Sequence, residues 1–255
     1  MAYKIVVANQ KGGVAKTTTA VNIADALMYM NNRVLLIDLD PQSNSTSVFT
    51  AGEVINENNV VDVVLERNSI EECILHTEFG DIVPSNRELS DWDSKLIQAP
   101  GGTKRIKKAV KMIEDNYDYI IMDTPPNVGA FMRNALFAAD GIITPLQAKR
   151  FALDGLSDFL DTVSALKEDG NENLDILGVL LTMYDQRNKQ DREVKEALPA
   201  IGENLNIRIF DTKIRVCQDI ENAIANSKSL FRTKPNSNGA NDYADLILEV
   251  LKIIE

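Results

Sequence analysis

The sequence predicts an α/β fold in which a mostly parallel, doubly wound sheet is flanked by helices on both faces. Three observations predict it. Apolar runs alternate with helical patterns along the whole chain, the order that successive strand–helix–strand units produce. The runs are continuously apolar, as in Val34-Leu35-Leu36-Ile37 and Ile142-Ile143, and strands covered on both sides read that way. The first run passes straight into a glycine-rich segment that opens a helical pattern, the context a phosphate-cradling loop needs.

Taken in order, the first strand is predicted at 4–8, where Lys4-Ile5-Val6-Val7-Ala8 leads into the loop, and the first helix at 16–30. A second strand at 33–38 ends in the acidic stretch Asp38-Leu39-Asp40. A helical pattern at 59–66, a short strand near 80–83 and a helix at 104–116 come next. The strand at 119–123, Tyr119-Ile120-Ile121-Met122-Asp123, runs into Pro125 and Pro126, whose rings forbid a following helix and turn the chain. The alternation continues with a helix at 130–139, a strand at 141–146, a helix at 152–168 and a strand at 176–183. A helix at 189–199, a short strand near 207–210 and a helix at 217–226 follow. Segment 234–241 is rich in turn formers and is predicted as a loop before the last helix, 241–254. No repeat or low-complexity segment interrupts this order, so residues 1–255 are expected to form one domain.

Composition narrows the function. With 44% hydrophobic residues and eight prolines in 255 residues, the chain has an ordinary globular make-up. No stretch approaches a membrane-spanning length, and the start of the chain shows no charged-then-apolar leader, so a cytoplasmic protein is expected. Cys73 and Cys217 stand alone in helix-like sequence, which gives neither a disulfide framework nor a metal cluster. A net charge of -11 argues against a protein that coats nucleic acid over its whole surface. Between Asp185 and Lys234, however, ten Lys/Arg stand against eight Asp/Glu, leaving 17 against 30 elsewhere. Any nucleic-acid face should lie there.

Three motifs fall at predicted strand ends, where open sheets of this class bind ligands. In Lys11-Gly12-Gly13-Val14-Ala15-Lys16-Thr17-Thr18, the glycines let the backbone turn tightly and aim N–H groups inward, and the helix that follows points its positive end at the same spot. Lys16 can reach the β- and γ-phosphates, and the Thr17 hydroxyl can ligate a phosphate-bound magnesium. Lys11 is a second lysine at the start of the loop. It is expected to point away from its own nucleotide and to serve one bound to a facing copy of the chain. In Asp38-Leu39-Asp40-Pro41-Gln42, Asp38 could help hold the magnesium shell and Asp40 could orient a water for in-line attack. Asp123, ahead of Thr124-Pro125-Pro126, can accept from a magnesium-bound water or from Thr17.

With these residues, together with Thr182-Met183-Tyr184-Asp185, the chain resembles the ParA/Soj-type partition ATPases of the deviant-Walker P-loop class, which also contains MinD and the nitrogenase iron protein. The resemblance spans almost the whole chain. It implies that Lys11 crosses an ATP-bound homodimer, Lys16 binds phosphate, Thr17 binds magnesium, Asp40 supports hydrolysis, and Pro41 and Gln42 lie by the nucleotide. The cofactors it implies are ATP and Mg2+. The cycle it implies is closure of a sandwich dimer on ATP, DNA binding without sequence preference at the nucleoid, and release by a ParB-like partner that stimulates an otherwise slow hydrolysis. By position Arg187 and Arg215 match DNA-contacting residues, and Lys213, Lys228 and Arg232 are further candidates. The loop reads Ala15 where the family usually has glycine, so this position is expected to avoid a Gly-only backbone conformation.

Two other readings use the same motifs. One is a ParA-like ATPase that positions a pilus, secretion or chemotaxis assembly without DNA binding, which the acidic balance keeps open. The other is a MinD-like membrane-surface switch, which needs a basic amphipathic last helix, whereas this one is acidic. His76 is expected to have no catalytic role and Trp92 to be a packing or contact residue. Met28 and Met30 are expected to fill the core.

Overall fold

The computed structural model describes residues 1–53, 58–149 and 152–254. Eight strands form one sheet: β1 (Tyr3–Val7), β2 (Val34–Asp38), β3 (Leu75–His76), β4 (Asp81–Val83), β5 (Tyr119–Asp123), β6 (Gly141–Gln147), β7 (Asp175–Tyr184) and β8 (Ile209–Arg215). Their spatial order is β3-β4-β2-β5-β1-β6-β7-β8. Every pairing is parallel except β3 with β4. The carboxyl ends of the parallel strands therefore gather along one edge of the sheet.

The continuous apolar runs are explained by burial on both faces. Along β1, Val6 faces one core and Ile5 and Val7 the other; along β2, Leu35 and Ile37 alternate with Val34 and Leu36 in the same way. Helices α1 (Lys16–Tyr29), α2 (Asn44–Phe49), α9 (Gln218–Ala225), α10 (Leu230–Thr233) and α11 (Asn238–Ile254) carry residues of one core. Helices α3 (Val60–Val64), α4 (Leu89–Gln98), α5 (Arg105–Val110), α6 (Ala130–Ala138) and α7 (Ala152–Glu168) serve the other. A third, smaller cluster lies where α8 (Lys189–Leu205) covers β7.

Several expectations need correction. Helices α2 and α4 were not predicted: α2 is a single polar-started turn, and only Leu89 and Leu96 of α4 are buried. The helix expected at 104–116 is regular only to Val110, its start fixed by Asn134 Oδ1 accepting from Ile106 N at 3.0 Å. Helix α8 continues past Pro199 to Leu205 and ends at Asn206 in the left-handed region. The loop expected at 234–241 is shorter, because α11 starts at Asn238, with Ser237 Oγ accepting from Ala240 N at 3.2 Å; the turn formers start a helix. Met28 packs against the core, but Met30, at the end of α1, is 44% exposed.

The two rims of the sheet differ. At one rim, β3 is only two residues long. At the other, Glu249 of α11 reaches the edge strand β8 and accepts from Asp211 N at 2.8 Å and from Thr212 N at 3.1 Å.

Candidate nucleotide site

The site is built from the loop after β1, and the loop is braced before any ligand arrives. Asn9, buried to 1%, donates through Nδ2 to the Pro145 carbonyl at 2.8 Å, and its Oδ1 accepts from Lys11 N at 2.9 Å. Gly13 turns with φ +70°, a conformation open to glycine at no steric cost. Gly12 faces Pro126: a Cβ on it would lie 3.9 Å from the proline Cβ, so the double proline after β5 walls the loop. Ala15 avoids a Gly-only conformation but takes one that residues with a Cβ rarely adopt. It sits at φ 64° and ψ 34°, in the left-handed region, as the residue preceding α1.

Lys16, the first residue of α1, is buried, and its Nζ donates to the Lys11 carbonyl at 2.9 Å. Burial lowers its pKa, with Asp123 and Asp40 acting in the opposite direction. An incoming phosphate thus meets a buried ammonium with two carboxylates close enough to act on it. The outer atoms of the Lys11 side chain run beside Gly155 of α7.

The three predicted acids converge but differ in state. Asp38 is fully buried and saturated: its Oδ2 accepts from Thr46 N at 2.9 Å and Thr46 Oγ1 at 2.7 Å, and its Oδ1 accepts from Asp40 N at 3.1 Å. Desolvation, with Asp123 adding to it, pushes the Asp38 carboxyl up to about 8. Asp123 Oδ2 accepts from Ser45 Oγ at 2.8 Å. Its Oδ1 is buried and, among the described residues, has no hydrogen-bond partner. Burial raises Asp123 to about 6, opposed by the Ser45 and Thr17 hydroxyls. An orphaned carboxylate oxygen at the floor of a phosphate loop fits a water of a hydrated cation. Asp123 is therefore better suited than Asp38 to the outer shell of a metal, since Asp38 spends its lone pairs pinning α2. Asp40 Oδ1 accepts from Gln42 N at 2.9 Å, which fixes the Pro41 turn, and the Asp40 carbonyl accepts from Ser85 Oγ at 2.7 Å.

Sequence reasoning did not find Ser45, Thr46 or the cavity beside the loop. That cavity, of about 310 Å³, is lined by Ala15, Thr18, Met183, Val216, Cys217 and Ile220, among others. It suits a flat, largely apolar group joined to phosphates on the loop. The polar run Gln42-Ser43-Asn44-Ser45-Thr46 could have announced the hydroxyls. The cavity could not be foreseen, because it joins β7, β8, α9 and α1. Both cysteines are unpaired, Cys73 buried and Cys217 half-buried.

The basic candidates are mostly engaged. Register pairs Tyr184 with Arg215, so Arg215 and the turn carrying Arg187 leave the sheet at the same corner. Asp242, itself buried, holds the Arg215 guanidinium at 2.6–3.1 Å. Asp185 holds Arg187 at 2.7–3.2 Å, and the Asp185 carboxyl is drawn down to about 2 by that guanidinium. Lys213 Nζ donates to the Asp211 carbonyl, and Arg232 reaches the Glu78 carbonyl at 2.9 Å. Lys228 is exposed. Trp92 is stacked against Lys95 and Arg67, and His76, largely exposed, bonds Asp81 at 2.7 Å.

Comparison with known proteins agrees with this geometry. The AAA domain family model matches residues 2–176. The sporulation initiation inhibitor protein Soj of Bacillus subtilis is 36% identical over 248 residues, 96% of this chain and 97% of Soj. The chromosome partitioning protein ParA of Caulobacter vibrioides is 35% identical over 219 residues, 84% of this chain and 82% of that protein. Among solved structures, cobyrinic acid a,c-diamide synthase from Mycobacterium smegmatis with bound ADP and magnesium aligns with a TM-score of 0.83 and 32% identity. The alignment covers 99% of this chain and 95% of that one. Phosphate loop, strand-end acids and these whole-length likenesses agree, and the chain belongs to the ParA/Soj-type family of deviant-Walker P-loop ATPases.

Proposed function

We infer that this chain is a single-domain, dimerising ATPase switch that partitions a plasmid or chromosome. ATP closes two copies into a sandwich, the sandwich binds DNA without sequence preference, and a ParB-like partner stimulates hydrolysis and release. The observation that carries this reading is that the two lysines have different neighbours: Lys16 Nζ donates to the Lys11 carbonyl, while the outer atoms of Lys11 lie against Gly155 of α7. This supports the reading that Lys11 serves a nucleotide bound to a facing copy.

In the chemical step ATP and water become ADP and phosphate. Magnesium, held by Thr17 with Asp123 on one of its waters, would neutralise charge on the phosphates. Lys16, which spends one of its three N–H donors on the Lys11 carbonyl, offers the others to phosphate oxygens. Asp40 orients the attacking water, and Lys11 from the facing copy meets the charge that develops on the transferred group. Hydrolysis is slow in the single chain because that charge arrives only with a partner; by analogy with arginine fingers, such a cation is worth on the order of a thousandfold in rate. Gly12, Gly13 and Val14 wrap the phosphates, Thr18 and Ala15 border the base cavity, and Pro41 and Gln42 carry the Asp40 turn.

A second reading has its own support. Arg187 and Arg215 are each clamped by a carboxylate of the same chain, which leaves less cation for a phosphate backbone and favours a protein assembly as cargo. A membrane-surface switch has less support, since α11 buries Leu246, Ile247 and Val250 against the core. No helix among the described residues is long and apolar enough to cross a membrane.

The test is binding to random-sequence DNA across a salt series, with magnesium and either a non-hydrolysable ATP analogue or ADP. The partition reading expects analogue-dependent binding that weakens steeply with salt, by about 0.9 log units per log unit of salt for each phosphate neutralised. Lys11→Ala should lose both dimer and DNA binding. Analogue-driven dimers without DNA affinity would select the second reading. A protein that stays monomeric with saturating analogue would overturn both.

A further inference from the structure

Glycine inside a helix costs about 0.5–1 kcal/mol relative to alanine, yet Gly155 stands within α7, and what lies against it is Lys11. A Cβ built on Gly155 would enter the van der Waals shell of Lys11 Cε and come within 3.1 Å of Nζ and 3.3 Å of Cδ. The outer half of the lysine therefore lies in the groove that the missing side chain leaves open. A second contact joins the same places: Gln10 Nε2 donates to the Gly155 carbonyl at 3.2 Å. The loop backbone is tied to this arrangement from the other side. Asn9 Oδ1 holds Lys11 N, and Lys16 Nζ holds the Lys11 carbonyl.

We propose that Gly155 is a positioning residue, a berth that keeps Lys11 folded along α7 in the nucleotide-free monomer. The two lysines are linked through one peptide group. The Lys16 ammonium has three N–H donors and spends one on the Lys11 carbonyl, so phosphate oxygens drawn to the other two pull on the peptide group that carries Lys11. The side chain then needs only to leave an open groove lined by a helix backbone, with no ion pair to break on Gly155 itself. Holding the lysine there withholds it from a second chain in the absence of nucleotide, which makes association follow nucleotide binding. This inference rests on the reading of Lys11 as the residue that crosses to a facing copy.

Gly155→Ala tests it with the full chain. Alanine favours the helix, and the atoms it displaces are the flexible end of a lysine, so the variant is expected to fold. Acylation of Lys11 by an amine-reactive ester, followed residue by residue by mass spectrometry in nucleotide-free protein, should be faster in the variant by at least about threefold. Lys228, exposed and distant in sequence, should react at the wild-type rate. With magnesium and a non-hydrolysable ATP analogue, the variant should dimerise at several-fold lower protein concentration, since less of its association energy goes to freeing Lys11. Equal acylation rates of Lys11 in the two proteins would overturn the berth. Faster acylation without any analogue-driven dimer in either protein would keep the berth and reject the trans role of Lys11.

Discussion

At the scale of single residues, three of the eight non-glycine residues with positive φ among the described residues border the nucleotide site. Ala15 precedes α1 at φ 64°, Ser43 follows the Asp40 turn at φ 55°, and Met183 borders the cavity beside the loop at φ 52°. Side chains carrying a Cβ rarely settle in this region, at a cost of roughly 1–2 kcal/mol each. At Ala15 the loop must turn left-handed for its N–H groups to point inward, and the chain accepts the methyl there. Ala15→Gly should therefore stabilise the protein by about 0.5–1 kcal/mol, because relief of the native conformation outweighs the extra freedom of the unfolded chain. The measurement is a urea midpoint at neutral pH, and a midpoint shifted to lower urea would refute the claim. The same strained turns explain part of what the sequence hid. Lys11, Lys16 and Thr17 announce themselves through spacing, but a left-handed alanine does not, since alanine is ordinarily read as a helix former.

At the scale of elements, Asp25 shows how two helices are tied. Buried in α1, it accepts from Ser229 Oγ at 2.6 and 2.8 Å and from Phe231 N at 3.2 Å, so it binds the start of α10. Asp25→Ala should cost about 1–3 kcal/mol by leaving those donors without an acceptor. Burial raises its carboxyl above the usual 3.8, with the Ser229 and Phe231 hydrogen bonds opposing. A raised folded-state pKa means that the native chain keeps a proton the unfolded chain gives up. The stability this confers is complete below about pH 4 and is lost as pH rises through the folded-state pKa. The stability gap between wild type and Asp25→Ala should accordingly narrow from pH 4 toward neutrality in chemical denaturation, and a gap that widens would reject the assignment. Legibility at this scale follows hydrophobic content. Strands β1, β2, β5, β6 and β7 were readable because both faces are buried. Helices α2 and α10 were not, since at six and four residues they are defined by caps to distant acids, Asp38 and Asp25, that no local pattern reveals.

At the scale of the whole molecule, the strand ends, the phosphate loop, the cavity beside it and the corner carrying Arg187 and Arg215 lie on one side. The motifs predicted that gathering, because a parallel sheet brings every carboxyl end to the same edge. They could not predict that Asp242 and Asp185 would occupy the two arginines, since those pairings depend on how α11 and the turn after β7 settle. The two rims of the sheet have a different consequence. An uncovered rim offers a row of backbone donors and acceptors to any extended chain. Here one rim is too short to template anything, and at the other the Glu249 carboxylate sits across the amides of Asp211 and Thr212. Glu249→Ala should expose them and produce nucleotide-independent association that grows with concentration, seen by light scattering; a variant as monodisperse as wild type would count against this guard. With one rim reduced to two residues and the other crossed by a carboxylate, neither flank of the sheet invites an extended chain, and open-ended growth by strand addition is resisted at both ends.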